Sequence, residues 1–427
     1  MPLCQLERFL QTTLNPCVCR LVVAYSGGMD SAALLHALVS LQPTHQKSIV
    51  SVHVHHGLSP FADAWAAHAQ QIAQHYGLPC IIKKVTVANT ASLESAARTA
   101  RYHAFQSVLT TGDVLLLAHH QQDQAETLLL RLMRGSGVRG LAAMNAIAQV
   151  PFQQQDIPCW RPWLTVNREQ IKQYAVQQQL TWVEDESNTN TQFNRNYLRH
   201  QVLPVLAQRW PQAVKQLAQT SQRMREADEL LHDLAAIDYQ QAQSANHTLS
   251  IDVLAQLTPA RRHNLFRYWL QQQQFALPDY ADIVRIWTEV CLAQADADPL
   301  LTWTGVEIRR YRQQLFAMLP LVAMNLSEMP WLDKTQPLHL ATGQYLLPEV
   351  VCQGLNPVAW QTGQVSIRYR QGGEKIQPVG RHHHHTLKKL LQAQGIPAWQ
   401  RQRIPLLYIN QQLAAVLGYW IATEFAV

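Results

Sequence analysis

The sequence predicts an α/β fold, a doubly wound parallel sheet, followed by a helical domain and a small α+β C-terminal domain. Three observations support this prediction. In the first half, short continuous apolar runs alternate with segments of helical spacing, as expected for strands that helices cover on both faces. From Asn196 to about Ala317 the pattern is helical and rich in Gln. The final segment mixes a strand-like alternation with a short helix, which is typical of a small α+β unit.

The elements of the first part follow in chain order. We expect strands at 21–25, 49–54, 80–87, 113–118 and 181–183, and helices at 31–40, 62–76, 93–109, 121–133 and 165–179. The polar stretch 184–190 predicts an exposed loop. These elements place a first domain over residues 1–210.

The remaining chain divides into three parts. A long helical pattern over 210–243 continues to about 317, with breaks at Pro259, Pro278 and Pro299. The stretch 319–348 is proline-rich and has no clear period, and 365–369, 386–394 and 413–421 predict a strand, a helix and a strand region. We therefore expect a helical domain over 211–318, a connector over 319–364 and an α+β domain over 365–427.

Composition limits the classes of protein to consider. Apolar residues make up 47% of the 427 residues, and 35 Lys and Arg against 29 Asp and Glu give a net charge of +6. This modest excess is compatible with an RNA partner but does not establish one. With no apolar run long enough for a membrane span, no secretory signal and seven scattered cysteines, we expect a protein of the reducing cytoplasm.

The residues that carry the clearest chemistry follow the first predicted strand. They are Ser26, Gly27, Gly28, Met29, Asp30 and Ser31. A glycine-rich turn between a strand and a helix presents backbone N–H groups and a helix N-terminus to phosphate. The carboxylate of Asp30 would repel phosphate unless a Mg²⁺ lies between them. The alternative is an ordinary helix cap with a glycine turn.

A second glycine pattern, 135–140, has the spacing G-x-G-x-x-G. It follows a predicted helix instead of a strand, so it lacks the context of a dinucleotide-binding motif. The chain also has no G-x-x-x-x-G-K-[ST] sequence. We interpret 135–140 as a tight loop at the C-terminal end of a helix.

A polar cluster begins where the strand at 113–118 ends, which is where open α/β sheets bind ligands. It contains His119, Asp123 and Glu126. The two carboxylates are three residues apart and share one face of a helix. They could bind Mg²⁺ or an ammonium group, or they could simply favour the N-terminal end of that helix.

The signature SGGMDS matches that of the PP-loop ATP pyrophosphatases, and further blocks resemble the tRNA(Ile)-lysidine synthetases. These blocks are YSGGMDS at 25–31, HVHHGL at 53–58, ESAARTARY at 94–102, residues 119–144, EDESN at 184–188, RNYLR at 195–199, RYRQGGE at 368–374 and IPLLY at 404–408. They span nearly the whole chain in the family's order. The last two are the most discriminating, because other PP-loop enzymes lack that module.

This resemblance implies an adenine nucleotide α-hydrolase-like fold and a specific reaction. ATP adenylates the wobble cytidine of an isoleucine tRNA with a CAU anticodon. The ε-amine of free L-lysine then displaces AMP to form lysidine, which changes the codon read from AUG to AUA. The partners implied are ATP, Mg²⁺, lysine and tRNA, and a homodimer is possible.

The resemblance also suggests roles for residues. Ser26 to Ser31 would hold ATP, and Asp30 would contact Mg²⁺. Asp123 and Glu126 could recognise lysine, and one of them or His119 could take its proton. Arg98, Arg101 or Arg195 could stabilise phosphate charge or the activated base, unless they are surface ion pairs.

Basic residues concentrate in two segments, which suits contact with an RNA backbone. Between 191 and 226 there are six Arg and Lys residues and one acidic residue, and between 366 and 403 there are eight Arg and Lys residues and one acidic residue. Tyr369 and Trp399 could stack on bases, but we expect both to pack in a core. For the four histidines 382–385 and for Cys17 and Cys19, we expect no metal site.

Two alternatives remain. A PP-loop tRNA thiolation enzyme needs cysteine chemistry, and the chain contains no C-x-x-C motif. A non-catalytic RNA-binding protein with a nucleotide fold would not need the acids at 30, 123 and 126. The combined motifs favour the ligase.

Overall fold

The computed structural model describes residues 2–57, 59–87, 93–150, 156–294, 297–324, 327–340, 342–349 and 354–427, without the side chains of Leu93 and Glu94. The chain forms two compact units, Met1–Leu231 and His232–Val427. No helix in these ranges is long and apolar enough to cross a membrane.

The first unit contains a six-stranded sheet and the helices around it. Its strands are β1 (Arg20–Ala24), β2 (Ser48–His55), β3 (Cys80–Lys84), β4 (Asp113–Leu116), β5 (Ile147–Val150) and β6 (Ile157–Trp160). Its helices are α1 (Pro2–Thr13), α2 (Met29–Ser40), α3 (Gln42–His45), α4 (Ala62–His75), α5 (Leu93–Gln106), α6 (Gln121–Leu132), α7 (Val138–Leu141), α8 (Arg168–Gln177), α9 (Asn194–Tyr197) and α10 (Leu203–Arg209), with a 3₁₀ turn at Glu186–Thr189 and a π turn at Leu198–Val202. The long helix α11 (Ala213–Ala242) begins in this unit and ends in the second.

The sheet confirms the predicted doubly wound fold. Its strand order is β3-β2-β1-β4-β6-β5, and only β5 runs antiparallel to its neighbour. Alternate residues of β1 enter different cores: Leu21 and Val23 pack on one face, and Val22 packs on the other. The strand order reverses between β1 and β4, so the loops after these two strands open into the crevice where such sheets bind ligands.

Some expected elements differ from the structure. Residues 181–183 form no strand; the backbone N–H of Val183 donates to the carbonyl of Gly27 at 2.9 Å, so this segment packs on a loop instead of the sheet. Helix α1 and the β5–β6 hairpin were not expected. The two strands of that hairpin are four residues each, too short for a periodic signal.

The second unit begins with helices and a small antiparallel sheet. The helices are α12 (Ile251–Gln256), α13 (Pro259–Gln272) and α14 (Tyr280–Arg285), with a 3₁₀ turn at Ala245–His247 and a π turn at Ile286–Cys291. The strands are β7 (Leu249–Ser250), β8 (Leu300–Trp303), β9 (Val306–Tyr311) and β10 (Gln314–Met318), in the order β7-β10-β9-β8. The helical prediction up to 317 is therefore wrong after Pro299, where β-branched and aromatic residues and the turn at Gly305 (φ +75°) favour a hairpin.

The C-terminal part folds around a second antiparallel sheet. Its strands are β11 (Met329–Pro330), β12 (Leu338–His339), β13 (Tyr345–Leu346), β14 (Val365–Tyr369), β15 (Lys375–Ile376), β16 (His385–Thr386), β17 (Pro405–Ile409), β18 (Gln412–Val416) and β19 (Trp420–Ile421). Its helices are α15 (Pro357–Thr362), α16 (Leu387–Ala393) and α17 (Ala398–Arg401), with a 3₁₀ turn at Thr423–Phe425. The main sheet has the order β11-β14-β17-β18-β19.

The stretch 319–364 is not the irregular connector that its proline content predicts. Met329 of β11 pairs with Ile367 of β14, and Trp331 and Leu340 are buried in the same core as Ile367. Short strands between prolines give no detectable period, which explains why the sequence hides them. The domain boundaries at 210, 318 and 364 stay predictions.

Candidate active site

The glycine-rich turn that the sequence predicts to bind phosphate lies between β1 and α2. The chain turns at Gly27, where φ is +87°, and Gly28 is the residue before the first turn of α2. The hydroxyl of Ser26 accepts from the backbone N–H of Gly28 at 3.3 Å, and the hydroxyl of Ser31 donates to the carbonyl of Gly28 at 2.9 Å. The two hydroxyl oxygens are 3.1 Å apart. This preformed turn directs a helix N-terminus at any anion bound there.

Gly27 is also required by close packing. A methyl group added there would lie 2.8 Å from Cγ2 of Val183, the residue whose N–H binds the Gly27 carbonyl. The segment after α8 therefore holds the loop from outside the sheet. The sequence does not reveal this role of Val183, because no motif marks a contact made through a backbone N–H.

Asp30 lies in the first turn of α2, directly behind the glycines. Its Oδ2 is 3.7 Å from Nε2 of His120 and 3.8 Å from Nε of Arg168. Its Oδ1 is buried, and no hydrogen-bond partner for it exists among the described residues. A buried carboxylate oxygen without a donor is costly unless a cation or proton satisfies it.

His120 connects the loop to the carboxylates on α6. It follows β4, is 2% exposed, and directs Nε2 to within 3.4 Å of Oδ2 of Asp123 as well as towards Asp30. Its backbone N–H donates to the same Asp123 oxygen at 2.9 Å. The segments that follow β1 and β4 are therefore linked through a residue to which the sequence assigns no role.

Asp123 and Glu126 are paired with two arginines. Nη2 of Arg195 donates to Oδ1 of Asp123 at 2.8 Å, and its Nε donates to Oε2 of Glu126 at 2.8 Å. Arg199 donates to Oδ1 of Asp123 at 3.1 Å and to both oxygens of Glu126 at 2.7 and 2.9 Å. Two carboxylates three residues apart on α6 thus face two arginines four residues apart, one in α9 and one in the π turn that follows it. The cluster of these four side chains has no net charge. The spacing of Arg195 and Arg199 could have revealed the second arginine.

These charges determine how the carboxyl of Asp123 titrates. Burial alone would raise its pKa, but the adjacent His120 and Arg195 hold the pKa well below its usual range. The pKa of Arg195 is raised despite burial, because Asp123 and Glu126 stabilise its charge. Asp123 and Arg195 are therefore both charged at physiological pH.

Two histidines, one after β2 and one after β4, are neutral. Burial is the main cause that lowers the pKa of His119 to about 3; the charge of Asp123 opposes this shift and that of Arg195 adds to it. Burial also lowers the pKa of His56, which follows β2, to about 4, with a contribution from Arg101. The Nδ1 atom of each is buried and has no hydrogen-bond partner among the described residues. Both imidazoles therefore have unused hydrogen-bonding capacity.

Helix α5 supplies the other predicted arginines. Arg98 is exposed and lies 4.9 Å from the ring centre of Tyr102, and its charge reaches His119. Arg101 influences His56. The two arginines are thus near the site, although neither forms an ion pair within the described residues.

The structure divides the predicted basic segment 191–226 into two groups. Arg195 and Arg199 are occupied by carboxylates, and Arg225 donates to the backbone carbonyls of Ala142 and Met144. The second group consists of three exposed basic residues, Arg209, Lys215 and Arg223. Only this second group is free to meet phosphate.

In the C-terminal segment the exposed bases are Lys375, Arg381, Lys388 and Lys389. Tyr369 is 1% exposed and Trp399 is 7% exposed, as expected for core residues. No group of three or more His, Cys, Asp or Glu side chains that could hold a metal ion occurs in the described ranges.

Three family models match the chain. A PP-loop domain covers residues 4–206, a TilS substrate binding domain covers 249–316, and a TilS substrate C-terminal domain covers 365–427. The PP-loop match includes the β1–α2 turn and α6. A solved structure, the U34-tRNA thiolase NcsA from Methanococcus maripaludis with its [4Fe-4S] cluster, aligns with 53% of this chain and 80% of its own at 15% identity and a TM-score of 0.42, which is too low to bear on the reaction.

Full-length relatives are much more similar. The tRNA(Ile)-lysidine synthase of Coxiella burnetii is 39% identical over 99% of this chain and 93% of its own length. That of Pectobacterium atrosepticum is 40% identical over 95% of this chain and 91% of its own, and that of Serratia proteamaculans is 41% identical over 94% and 91%. The chain belongs to the tRNA(Ile)-lysidine synthase family.

Proposed function

We propose that the chain ligates L-lysine to the wobble cytidine of an isoleucine tRNA that has a CAU anticodon. ATP adenylates the carbonyl oxygen of the cytosine and pyrophosphate leaves. The ε-amine of lysine then attacks the adjacent carbon, AMP leaves, and the amine loses a proton. The product is lysidine, which pairs with A, so the tRNA decodes AUA instead of AUG.

One observation carries this proposal beyond family membership. His120 lies between Asp30 of the loop and Asp123 of the carboxylate cluster, 3.7 Å from one and 3.4 Å from the other. A nucleotide held at the loop would thus have its α-phosphate beside a second, strongly polar site. A two-substrate reaction needs this adjacency, because the activated base and the amine must meet.

The residues of the loop fit a Mg²⁺ bound together with ATP. The free, buried Oδ1 of Asp30 is the available protein ligand, whereas the oxygens of Asp123 and Glu126 already accept from arginines. Magnesium sites on nucleotides typically use one or two carboxylates plus phosphate oxygens. The ion would offset the charge of the departing pyrophosphate, and the N-terminal end of α2 would add to this stabilisation.

We assign lysine recognition to Asp123 and Glu126. Oδ1 of Asp123 receives hydrogen bonds from both arginines, so an incoming ammonium would replace one of them. Arg195 is the more exposed of the two, with 27% of its side chain accessible against 19% for Arg199. Displacement of Arg195 would also free its charge for the phosphate of the adenylated base.

His119 is poorly suited to take the proton from lysine. A group with a pKa of about 3 lies about seven units below a lysine ammonium, a gap of roughly 10 kcal/mol. We instead assign neutral His119 a hydrogen bond to substrate, with Arg98 or Arg101 facing the phosphate. Asp123 fails the same comparison, because its pKa is held well below its usual range. Of the named groups, this leaves Glu126 to accept the proton that the nitrogen releases once it has attacked.

The thiolation alternative is weaker. The thiol of Cys159 is completely buried, and burial raises its pKa and that of Cys80. A raised pKa keeps a thiol protonated and unreactive. A non-catalytic role would leave the buried, unpartnered oxygen of Asp30 unexplained.

We assign tRNA binding to the segments 211–318 and 365–427, joined by 319–364, and ATP chemistry to 1–210. A homodimer is compatible with this arrangement. The decisive experiment incubates the protein with radiolabelled lysine, ATP, Mg²⁺ and an isoleucine tRNA transcript bearing CAU. We expect label in the tRNA only when ATP is present. An unlabelled transcript, alongside a relative that labels it, would refute the proposal.

A further inference from the structure

The corner between α10 and α11 exposes a large aromatic side chain. Trp210 is 60% exposed, although tryptophan side chains are usually mostly buried. Its backbone N–H donates to the carbonyl of Leu206 at 2.7 Å, and its carbonyl accepts from Ala213 at 2.8 Å. The ring is therefore presented by a fixed turn and not by a loose end.

The chain segment around this corner contains positively charged residues and no negatively charged ones. From Thr191 to Arg225 there is no Asp or Glu. Arg209 adjoins the ring in sequence, Lys215 lies in the first turn of α11, and both are exposed. Within the described residues neither forms an ion pair. An exposed ring beside unpaired cations is the arrangement that binds unpaired nucleotides, with stacking on the base and cations on the phosphates.

The corner is also connected to the catalytic cluster. Helices α9 and α10 and the π turn between them run from Asn194 to Arg209 without a break. Arg199, which binds Glu126, precedes Trp210 by eleven positions, so at 1.5 Å per residue the two are about 16 Å apart. An RNA strand whose wobble base occupies the site could reach Trp210 within a few nucleotides.

We propose that Trp210 stacks on an unpaired nucleotide of the tRNA substrate, with Arg209 and Lys215 on the adjoining phosphates. This inference rests on the proposed function for the identity of the RNA. It replaces Tyr369 and Trp399 as stacking residues, since both are buried. A second copy of this chain is the competing occupant, but a segment that has basic residues and no Asp or Glu over 191–225 is poorly complementary to itself.

The test measures binding of a full-length isoleucine tRNA transcript bearing CAU, without ATP or lysine, by filter retention. Trp210→Ala should weaken binding about 5- to 150-fold, and Trp210→Phe should retain most of the affinity because it keeps a stacking face. Binding of a fully paired RNA of equal length should be unchanged by Trp210→Ala. The affinity falls as salt concentration rises, and Lys215→Gln should make the negative slope of log affinity against log salt concentration shallower by about one.

Val176→Ala and Lys172→Gln on α8 are matched controls, since Val176 is 58% exposed and Lys172 is exposed. Unchanged tRNA affinity in Trp210→Ala would overturn the inference. A change in its sedimentation with unchanged tRNA affinity would also overturn it, by assigning the corner to a protein interface. If wild-type protein binds tRNA through Trp210 yet never attaches lysine, the proposed function fails while this surface stands.

Discussion

The guanidinium of Arg199 binds both carboxylate oxygens of Glu126, with Nε and Nη2 at 2.7 and 2.9 Å. Glu126 has no exposed surface, and its carboxylate accepts from Arg199, from Arg195 and, at 3.3 Å, from the side-chain amide of Gln122. Bidentate geometry fixes the position of the arginine as well as its charge. Helix α9 and the π turn after it are therefore held against α6 by ion pairs, and a substrate that binds the carboxylates must displace part of this contact.

We predict that Glu126→Gln destabilises the protein. The substitution leaves Arg195 and Arg199 with one carboxylate between them, and removing one partner of a buried pair costs about 3 to 5 kcal/mol. Because both arginines are partly exposed, we expect the lower end of this range. Urea denaturation measures the change in unfolding free energy. Glu169→Gln, an exposed acid on α8, is the control, and equal midpoints for the two variants would contradict the prediction.

Gly27 and Gly28 should differ sharply on substitution by alanine. Gly27 has φ +87°, and an added methyl would lie 2.8 Å from Val183. Gly28 has φ −74°, and its methyl would meet only Ser26 Oγ at 3.5 Å. We expect Gly27→Ala to lose about 1 to 3 kcal/mol, while Gly28→Ala changes stability by less than about 1 kcal/mol.

Thermal unfolding of the two glycine variants provides the measurement. Adding Val183→Ala to Gly27→Ala should recover part of the loss, because it removes the clashing methyl but not the backbone strain. Equal stability of the two single variants would show that the loop relaxes freely.

The sequence predicts the fold where signals are local and repeated. Buried strands such as β1 and β4 appear as apolar runs, and the β1–α2 turn is marked by its glycines. Contacts between distant segments leave no such signal: Val183 on Gly27, His120 between Asp30 and Asp123, and the pairing of β11 with β14. The carboxylates were identified as candidates, but their saturation by arginine depends on how α9 packs on α6, which periodicity does not encode.

Asp30→Asn should disable ATP chemistry and spare RNA binding. Loss of the carboxylate removes the free Oδ1 assigned to Mg²⁺, and we expect kcat to fall on the order of 100-fold, as for other lost charge-stabilising groups. Pyrophosphate release as a function of Mg²⁺ concentration measures this, and tRNA retention on filters should be unchanged. Asp156→Asn is the control, because Asp156 is exposed at the amino end of β6. Full activity of Asp30→Asn would eliminate the assigned role.

The neutral histidines predict how stability depends on pH. The pKa of His119 is about 3 in the folded protein and about 6.5 when unfolded. Between these values the unfolded chain binds a proton that the native state does not. Stability therefore falls as pH drops from about 6.5 towards 3. His119→Gln should show a shallower loss of unfolding free energy between pH 7 and 5. Parallel curves for the two proteins would mean that His119 titrates normally.

The pH dependence of catalysis should come from the lysine amine and not from His119. Only the free amine is nucleophilic, and its pKa near 10.4 means that the free fraction rises about tenfold per pH unit from 7 to 9. We expect kcat/KM for lysine to follow this slope. His119→Gln should lower the rate through its lost hydrogen bond but keep the same slope, because an imidazole with a pKa of about 3 is already neutral throughout that range. Initial rates at subsaturating lysine provide the test, and a profile that is flat in the wild type but has the tenfold slope in His119→Gln would identify that histidine as the base.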